Sequence, residues 1–209
     1  RFITSHPRDL DDRTIRLFEE IETLCPHVHL PLQSGSDRVL AAMGRGYTRG
    51  EYLAKIEALR QVRPGLAFSS DFIVGFPGET EDDFRETLAV MGEIRFDYSF
   101  SFRFSSRPGT RAAEMKGKVD PQEAAARLRR LQELQAAHTR DRLSAQVGRE
   151  VTVLVEGKSA RDPGMRCGRT ACNKTVNFTP GNAEGPIRSI LVTGAGTHSL
   201  VGEERPSHA

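Results

Sequence analysis

Residues 69–80 read Ser69-Ser70-Asp71-Phe72-Ile73-Val74-Gly75-Phe76-Pro77-Gly78-Glu79-Thr80. Phe72, Ile73 and Val74 are aromatic and β-branched types that suit a pleated, buried strand, so Leu66–Phe76 is expected to be one. Gly75, Pro77 and Gly78 then punctuate the chain. Thr80 offers a hydroxyl to the free N–H groups of a helix start. Glu81, Asp82 and Asp83 crowd its first turn, where the helix dipole favours carboxylates. Phe84, Leu88 and Met91 follow on one helical face. Beyond that helix Tyr98, Phe100, Phe102 and Phe104 alternate with polar residues, the period of a second strand.

The same grammar runs upstream. Thr48-Arg49-Gly50-Glu51 is a capping box ahead of Tyr52, Leu53, Ile56, Leu59 and Val62, and Pro64-Gly65 ends that helix. Ser36 caps a shorter helix that stops at Gly44. Val28–Leu32 is a short apolar strand, Asp12–Leu24 a helix carrying Ile15, Phe18, Ile21 and Leu24, and Phe2–Ser5 a strand. Strands alternating with helices make right-handed βαβ units in a parallel sheet. About four strands fall short of the eight of a closed (βα) barrel, so residues 1–145 are expected to form part of a barrel with a long exit helix. That helix opens at Asp120-Pro121-Gln122-Glu123 and carries Leu128, Leu131 and Leu134. From about residue 146 to 209 the helical pattern stops. Val151–Val155, Thr175–Phe178 and Ile187–Thr193, divided by Gly, Pro and Asn, suit a small antiparallel β-barrel.

Composition narrows the class. The 209 residues are 37% apolar and 28% charged, with a net charge of +2. Residues 1–145 balance 22 basic against 22 acidic side chains, so the excess lies in the last segment. There Lys158, Arg161, Arg166, Arg169 and Lys174 surround a single acid, Asp162, a patch that suits a polyanion. No run reaches a membrane-spanning length and no signal peptide opens the chain. Three cysteines suit a reducing cytoplasm better than a disulfide framework. The first residues look like the middle of a strand, which is expected of a piece of a longer protein.

In parallel α/β sheets ligands sit beyond the C-terminal ends of the strands. Three loops fall there: Pro31–Ser36, Gly75–Glu79 and Phe104–Thr110. No GxGxxG, Walker loop, HExxH or CxxC occurs, which argues against the nucleotide and zinc sites those motifs build. His27 and His29 flank Val28 and are expected to share a strand face as structural histidines. Cys25 reads as packing, and Cys167 and Cys172 as small residues of the β domain.

Four stretches, TSHP, HLPLQSGSDRVLAAMGRGYTRGEY, SSDFIVGFPGETEDDF and FSFRFSSRPGTRAAEM, in this order and spacing, resemble the radical S-adenosylmethionine (SAM) methylthiotransferases. VTVLVEG, GRTACNKTVNF and ILVTGAGTHSLVGE resemble the TRAM domain, the small OB-like RNA-binding β-barrel that ends members of that family. GRTACNKTVNF is similar to the branch that modifies tRNA. The resemblance implies a fold of partial radical-SAM barrel followed by a TRAM barrel. It implies SAM and two 4Fe-4S clusters as cofactors. It implies as reaction the placing of a methylthio group on carbon 2 of an isopentenylated adenosine beside the anticodon. The implied partner is tRNA, through its anticodon stem-loop, with a monomeric cytoplasmic enzyme. The family's CxxxCxxC cluster loop does not occur among these residues, and Cys25, Cys167 and Cys172 do not match it. No metal ligand or catalytic residue is therefore assigned here, and the stretch is not expected to generate a radical by itself.

The resemblance also assigns side chains. Gln33 and Ser34 match a loop at the barrel mouth. Ser70, Asp71, Ile73 and Gly75 match the segment that lies against the SAM adenine, and Phe104 the last strand. Asp71 stands where that segment has glycine, and Glu79 comes one residue late. Arg45 is expected to face substrate, and Arg107 a substrate phosphate or the SAM carboxylate. Arg166, Arg169, Lys174, Phe178 and His198 are expected to meet RNA by phosphate pairing and stacking, with Phe178 an alternative core residue. Two other readings stand beside this one: a non-catalytic RNA-binding module, and a sibling enzyme acting on another tRNA adenosine or on a ribosomal protein.

Overall fold

The computed structural model describes residues 1, 6–160, 162–182 and 184–205. The expected strand Phe2–Ser5 lies outside the described residues. Three parallel strands, β1 (His27–His29), β2 (Ala67–Val74) and β3 (Tyr98–Arg103), lie in that order, with Val28 opposite Phe68, Ser69 opposite Tyr98, and Asp71 opposite Phe100. Strand alternation sorts their side chains into two rows. Val28, Phe68, Phe72 and Val74 are buried with residues of helices α1 (Asp12–Glu20), α3 (Arg49–Val62), α4 (Glu81–Ile94) and α6 (Pro121–Ser144). His27, His29, Ser69, Asp71, Ile73, Tyr98, Phe100 and Phe102 occupy the other face, where Phe100 and Phe102 are 54% and 55% exposed.

The helices begin where the sequence expects. Thr48 and Glu51 form a reciprocal box at α3, and Thr80 and Asp83 one at α4. Asp120 accepts from the N–H groups of Gln122 and Glu123 at α6. Ser36 caps the short α2 (Asp37–Ala42), and a four-residue α5 (Arg111–Glu114) follows β3. Two boundaries differ. Helix α1 stops at Glu20 rather than Leu24, because Ile21 turns extended and leads toward Cys25-Pro26 and the strand. The ladder after β1 breaks at Leu32, whose N–H turns to Ser70 Oγ at 2.9 Å; it resumes at Gln33, whose N–H bonds to Asp71 O at 2.8 Å.

The last segment closes on itself. Strands β4 (Glu150–Lys158), β5 (Arg166–Thr170), β6 (Thr175–Thr179), β7 (Ile187–Ala195) and β8 (Leu200–Glu204) form a barrel in the order β4-β5-β6-β8-β7. Val153, Val176, Phe178, Ile190, Val192 and Leu200 fill it. Four pairings are antiparallel, while β6 and β8 run parallel, so the barrel is mixed rather than wholly antiparallel. Strands β5 and β8 escape a hydrophobic pattern because each carries a central glycine. A Cβ at Gly168 or Gly202 would sit 2.4 Å from the carbonyl oxygen of Leu154 or Leu191, so close strand approach requires glycine there.

Helix α6 joins the two parts, placing Leu131 in the first core and Leu143 in the second. The β5–β6 turn docks on the sheet beside it. Lys174 pairs with Asp97, and Asn173 Nδ2 donates to Tyr98 Oη at 2.8 Å. Among the described residues no helix is long and apolar enough to cross a membrane.

Candidate functional site

The loops after β1, β2 and β3 meet at one end of the sheet. Gln33 takes a left-handed backbone (φ 73°), uncommon for a residue with a side chain, and its carbonyl accepts from Ile73 N–H at 2.9 Å. Gln33, Asp71 and Ile73 are thereby brought together. Phe104 continues the lip, its N–H bonded to Val74 O at 2.8 Å and its ring edge-to-face with Phe76 at 5.1 Å. A cleft of about 540 Å³ opens between Gly75, Phe104, Lys118 and Ala124. Gly75 turns at φ 73°, and a Cβ there would lie 2.8 Å from Ala124 Cβ, so its smoothness serves the approach of α6.

Two expected cofactor contacts are corrected. Ser70 lies on the opposite face from its neighbour Asp71, fully buried, with Oγ accepting from Leu32 N–H at 2.9 Å. The two-residue period of a strand separates the pair. Ser34 is also fully buried, its Oγ accepting from Ser36 N–H at 3.2 Å and lying 3.4 Å from Thr87 Oγ1.

The Gly-Pro-Gly loop is held from both sides. Glu79 Oε2 accepts from Gly75 N–H at 2.7 Å and from Arg127 Nη1 at 2.8 Å, and the two side chains are 1% and 6% exposed. Burial pushes the Glu79 carboxyl up, while Gly75 and Arg127 pull against that rise. From the other side Arg38 donates to Gly78 O at 2.6 Å and pairs with Asp83. Asp83 also accepts from Ser36 Oγ at 2.6 Å, tying the Ser34–Ser36 loop to the start of α4. Burial works to raise the Asp83 carboxyl, but hydrogen bonds from Arg38, Ser36 and Thr80 hold it well below the usual carboxylate range. Glu79 is thus a loop clamp. Its partner Arg127 and the Arg38–Asp83 pair carry no local signal in the sequence, since each joins residues more than forty positions apart.

A polar chain crosses the exposed face of the sheet below the lip. His29 Nε2 lies 3.5 Å from Asp71 Oδ2, and His29 Nδ1 and His27 Nε2 each lie 3.0 Å from Ser69 Oγ. Tyr98 Oη lies 3.1 Å from His27 Nε2 and accepts from Asn173. The expected shared face of the histidines is observed, and Asp71 acquires a partner.

Burial lowers His27 from 6.5 to about 4; Asp97 pulls it up, and His29, Lys174 and Arg1 push it further down. A histidine depressed in the folded state contributes stability that is present above its unfolded value and is lost as pH falls through the folded one. The melting temperature should therefore fall between pH 6.5 and about 4, and His27→Gln should flatten part of that fall. Circular dichroism melts across that range check this. Identical slopes in the two proteins would remove His27 from the account.

The expected RNA-facing residues scatter. Lys174 is corrected from an RNA contact to an internal one: its pair with Asp97 leaves the side chains 12% and 9% exposed. Phe178, 1% exposed, is barrel core, which selects the alternative reading of that residue. Arg169 shares an ion pair with Glu156 at 3.2 Å and borders, with exposed His198, a cleft of about 520 Å³ beside Tyr98 and Asn173. Arg166 lines a separate groove near Arg188 and Glu204. Arg107 is exposed in the loop after Phe104, and half-buried Arg45 follows α2.

Cys25, Cys167 and Cys172 are free thiols, and burial pushes the Cys167 and Cys172 thiols up. Among the described residues no group of three or more His, Cys, Asp or Glu is placed to hold a metal. The donor set of these residues does not fit an iron–sulfur cluster.

A profile of the radical SAM superfamily matches residues 1–91, and one of the TRAM domain matches residues 144–203. The chain is 49% identical over 205 residues to the tRNA-2-methylthio-N(6)-dimethylallyladenosine synthase of Syntrophus aciditrophicus, covering 97% of this chain and 44% of that protein. It is 50% identical over 190 residues to the protein of the same name from Magnetococcus marinus, covering 91% of this chain and 42% of that protein. The relative of that name from Pelobacter propionicus is 47% identical over 207 residues, covering 99% of this chain and 47% of that protein. The chain thus spans less than half the length of the curated relatives it matches. Among solved structures, coproporphyrinogen III oxidase of Escherichia coli, a radical SAM enzyme, superposes with a TM-score of 0.53 at 19% identity, covering 64% of this chain and 31% of that one. That likeness bears on the fold alone.

Proposed function

The chain belongs to the radical SAM methylthiotransferases, and from that premise we propose that it forms the cofactor-lip and RNA-facing part of a tRNA-modifying enzyme. The proposed reaction adds a methylthio group to carbon 2 of an isopentenylated adenosine next to the anticodon. One observation carries this reading: identity of 49% over 205 residues and 50% over 190 residues, 97% and 91% of the chain and so reaching both the radical SAM and the TRAM matches, to relatives named for that product.

SAM, when bound, supplies the radical and methyl chemistry. This chain's residues suit its binding and orientation. Asp71 offers a carboxylate to a cationic group, Gln33 an amide, and Ile73 and Phe104 an apolar wall for a purine. Glu79, Arg127, Arg38 and Asp83 keep the surrounding loops in place without touching the ligand. The cysteines of this stretch do not suit the two clusters, so cluster ligands are assigned to none of its residues. We place the boundary between the α/β part and the RNA-binding barrel near residue 145, and we take the enzyme to act as a cytoplasmic monomer on the anticodon stem-loop.

The test is to express the complete reading frame in a bacterium lacking its own 2-methylthio activity and to analyse tRNA nucleosides by mass spectrometry. The expected product is the isopentenylated adenosine gaining a methylthio group. Accumulation of the unmodified isopentenyl nucleoside, with a methylthio group on a different adenosine or on a ribosomal protein, would favour the sibling reading instead.

A further inference from the structure

Tyr98, His27, Ser69, His29 and Asp71 stand in unbroken polar contact across β3, β1 and β2. Each contact holds one hydrogen, and the carboxylate end decides on which side it sits. A carboxylate has none to give. His29 Nε2, 3.5 Å from Asp71 Oδ2, therefore carries its hydrogen, because a bare ring nitrogen would turn a lone pair on the negative oxygen. In a neutral imidazole the other nitrogen is then an acceptor, so His29 Nδ1 takes the single Ser69 hydroxyl hydrogen at 3.0 Å. Ser69 Oγ, with its hydrogen committed, accepts at its other contact, and His27 Nε2 at 3.0 Å donates.

The far end agrees. Asn173 Oδ1 accepts from Arg1 Nη1 at 3.3 Å and from Arg169 Nη1 at 3.5 Å, which turns Nδ2 to Tyr98 Oη at 2.8 Å. Tyr98 Oη accepts there, and it takes a share of the His27 Nε2 hydrogen at 3.1 Å. Its ring stacks on the His27 imidazole, with centroids 5.6 Å apart and planes 11° from parallel. Burial lowers His27 to about 4, so that ring is neutral at physiological pH. Asn173 belongs to the β5–β6 turn, so the chain of hydrogens begins on the barrel and ends beside the cofactor lip.

We propose that His29 is a positioning residue for Asp71: in its Nε2–H form, set by Ser69 and His27, it holds the carboxylate that meets the cationic group of the cofactor. The assignment rests on the cofactor reading above and deepens it by naming residues that act through Asp71. A histidine merely packed on the sheet would show no fixed tautomer and would act on stability alone.

Nitrogen-15 NMR of the histidine-labelled chain at about pH 8, above the ordinary histidine range, reads the tautomers without any substitution. His27 and His29 should both show a protonated Nε2 and a bare Nδ1. A bare Nε2 on His29, or a proton on both of its nitrogens, would overturn the proposal. The second arm measures SAM affinity of the complete, cluster-loaded enzyme by equilibrium dialysis, without turnover. His29→Phe should weaken it about fivefold, and His29→Gln, which keeps a donor, should stay near the parent. His29→Phe added to Asp71→Asn should cost nothing beyond Asp71→Asn alone. Losses that add, or parent-like affinity for His29→Phe, would end the positioning role and leave the cofactor reading intact. A parent enzyme that binds no SAM would overturn both. Should His29→Phe fail to fold, the tautomers of the parent chain still decide.

Discussion

Arg127→Met is expected to destabilise the chain by about 3–5 kcal/mol at neutral pH, the cost of leaving a buried carboxylate without its partner. Glu79 keeps the Gly75 N–H but loses the guanidinium at 2.8 Å, and Arg127 no longer holds Glu79 O at 3.0 Å. Burial then acts on the Glu79 carboxyl with less opposition and raises it further above its ordinary value. A carboxyl raised in the folded state contributes stability that is present below its unfolded value and is lost as pH rises through the folded one. The deficit should therefore be widest at neutral pH and should shrink as pH falls into the ordinary carboxylate range. Adding Glu79→Gln should restore part of the loss, because the amide oxygen still accepts from Gly75 and carries no charge. Denaturant melts of the single and double variants at two pH values provide the measurement. An Arg127→Met protein as stable as its parent at neutral pH would show the pair to be worth nothing to the fold.

Phe178→Ala is expected to cost about 3–5 kcal/mol of barrel stability, because a fully buried ring is removed from among Val153, Val176, Ile190 and Leu200. At temperatures where the variant remains folded, its affinity for RNA should equal that of the parent. This result separates the two readings of that residue. A stacking residue would lose affinity and leave the melting temperature alone; a core residue does the reverse. An unchanged melt with weakened RNA binding would mean that the ring is available to a base.

Why one aromatic is core and another is surface was not visible in the chain alone. Phe178 and Phe100 both alternate with polar neighbours, and only the closure of the barrel and the open edge of β3 tell them apart. The elements themselves were legible because their causes are local. The Thr48 and Thr80 boxes and the Asp120 cap act within three residues, and the sheet period acts over two. The loop ends of β1, β2 and β3 follow from those elements, so the sequence alone groups Gln33, Asp71, Ile73 and Phe104. Adjacency misled where the strand period was set aside, as it was for Ser70 beside Asp71. The clamp stayed hidden for a different reason. Arg127 is one of several arginines on α6, and nothing local distinguishes the one that meets Glu79 forty-eight positions away. Lys174 likewise looks like its basic neighbours until folding sets it against Asp97.

Helix α6 sets the phase between the two halves of the molecule. Leu131 and Leu143 stand twelve residues apart on one rigid rod, and each is fixed in a different core. Inserting a single residue between them would rotate the barrel by about 100° about the helix axis and advance it by about 1.5 Å. The Lys174–Asp97 and Asn173–Tyr98 contacts would no longer face each other. An insertion of seven residues would nearly restore the angle and leave the barrel about 10 Å too far along. The connection therefore works like a keyed shaft, and length variation between related chains is expected in the loops of either half rather than between these two leucines.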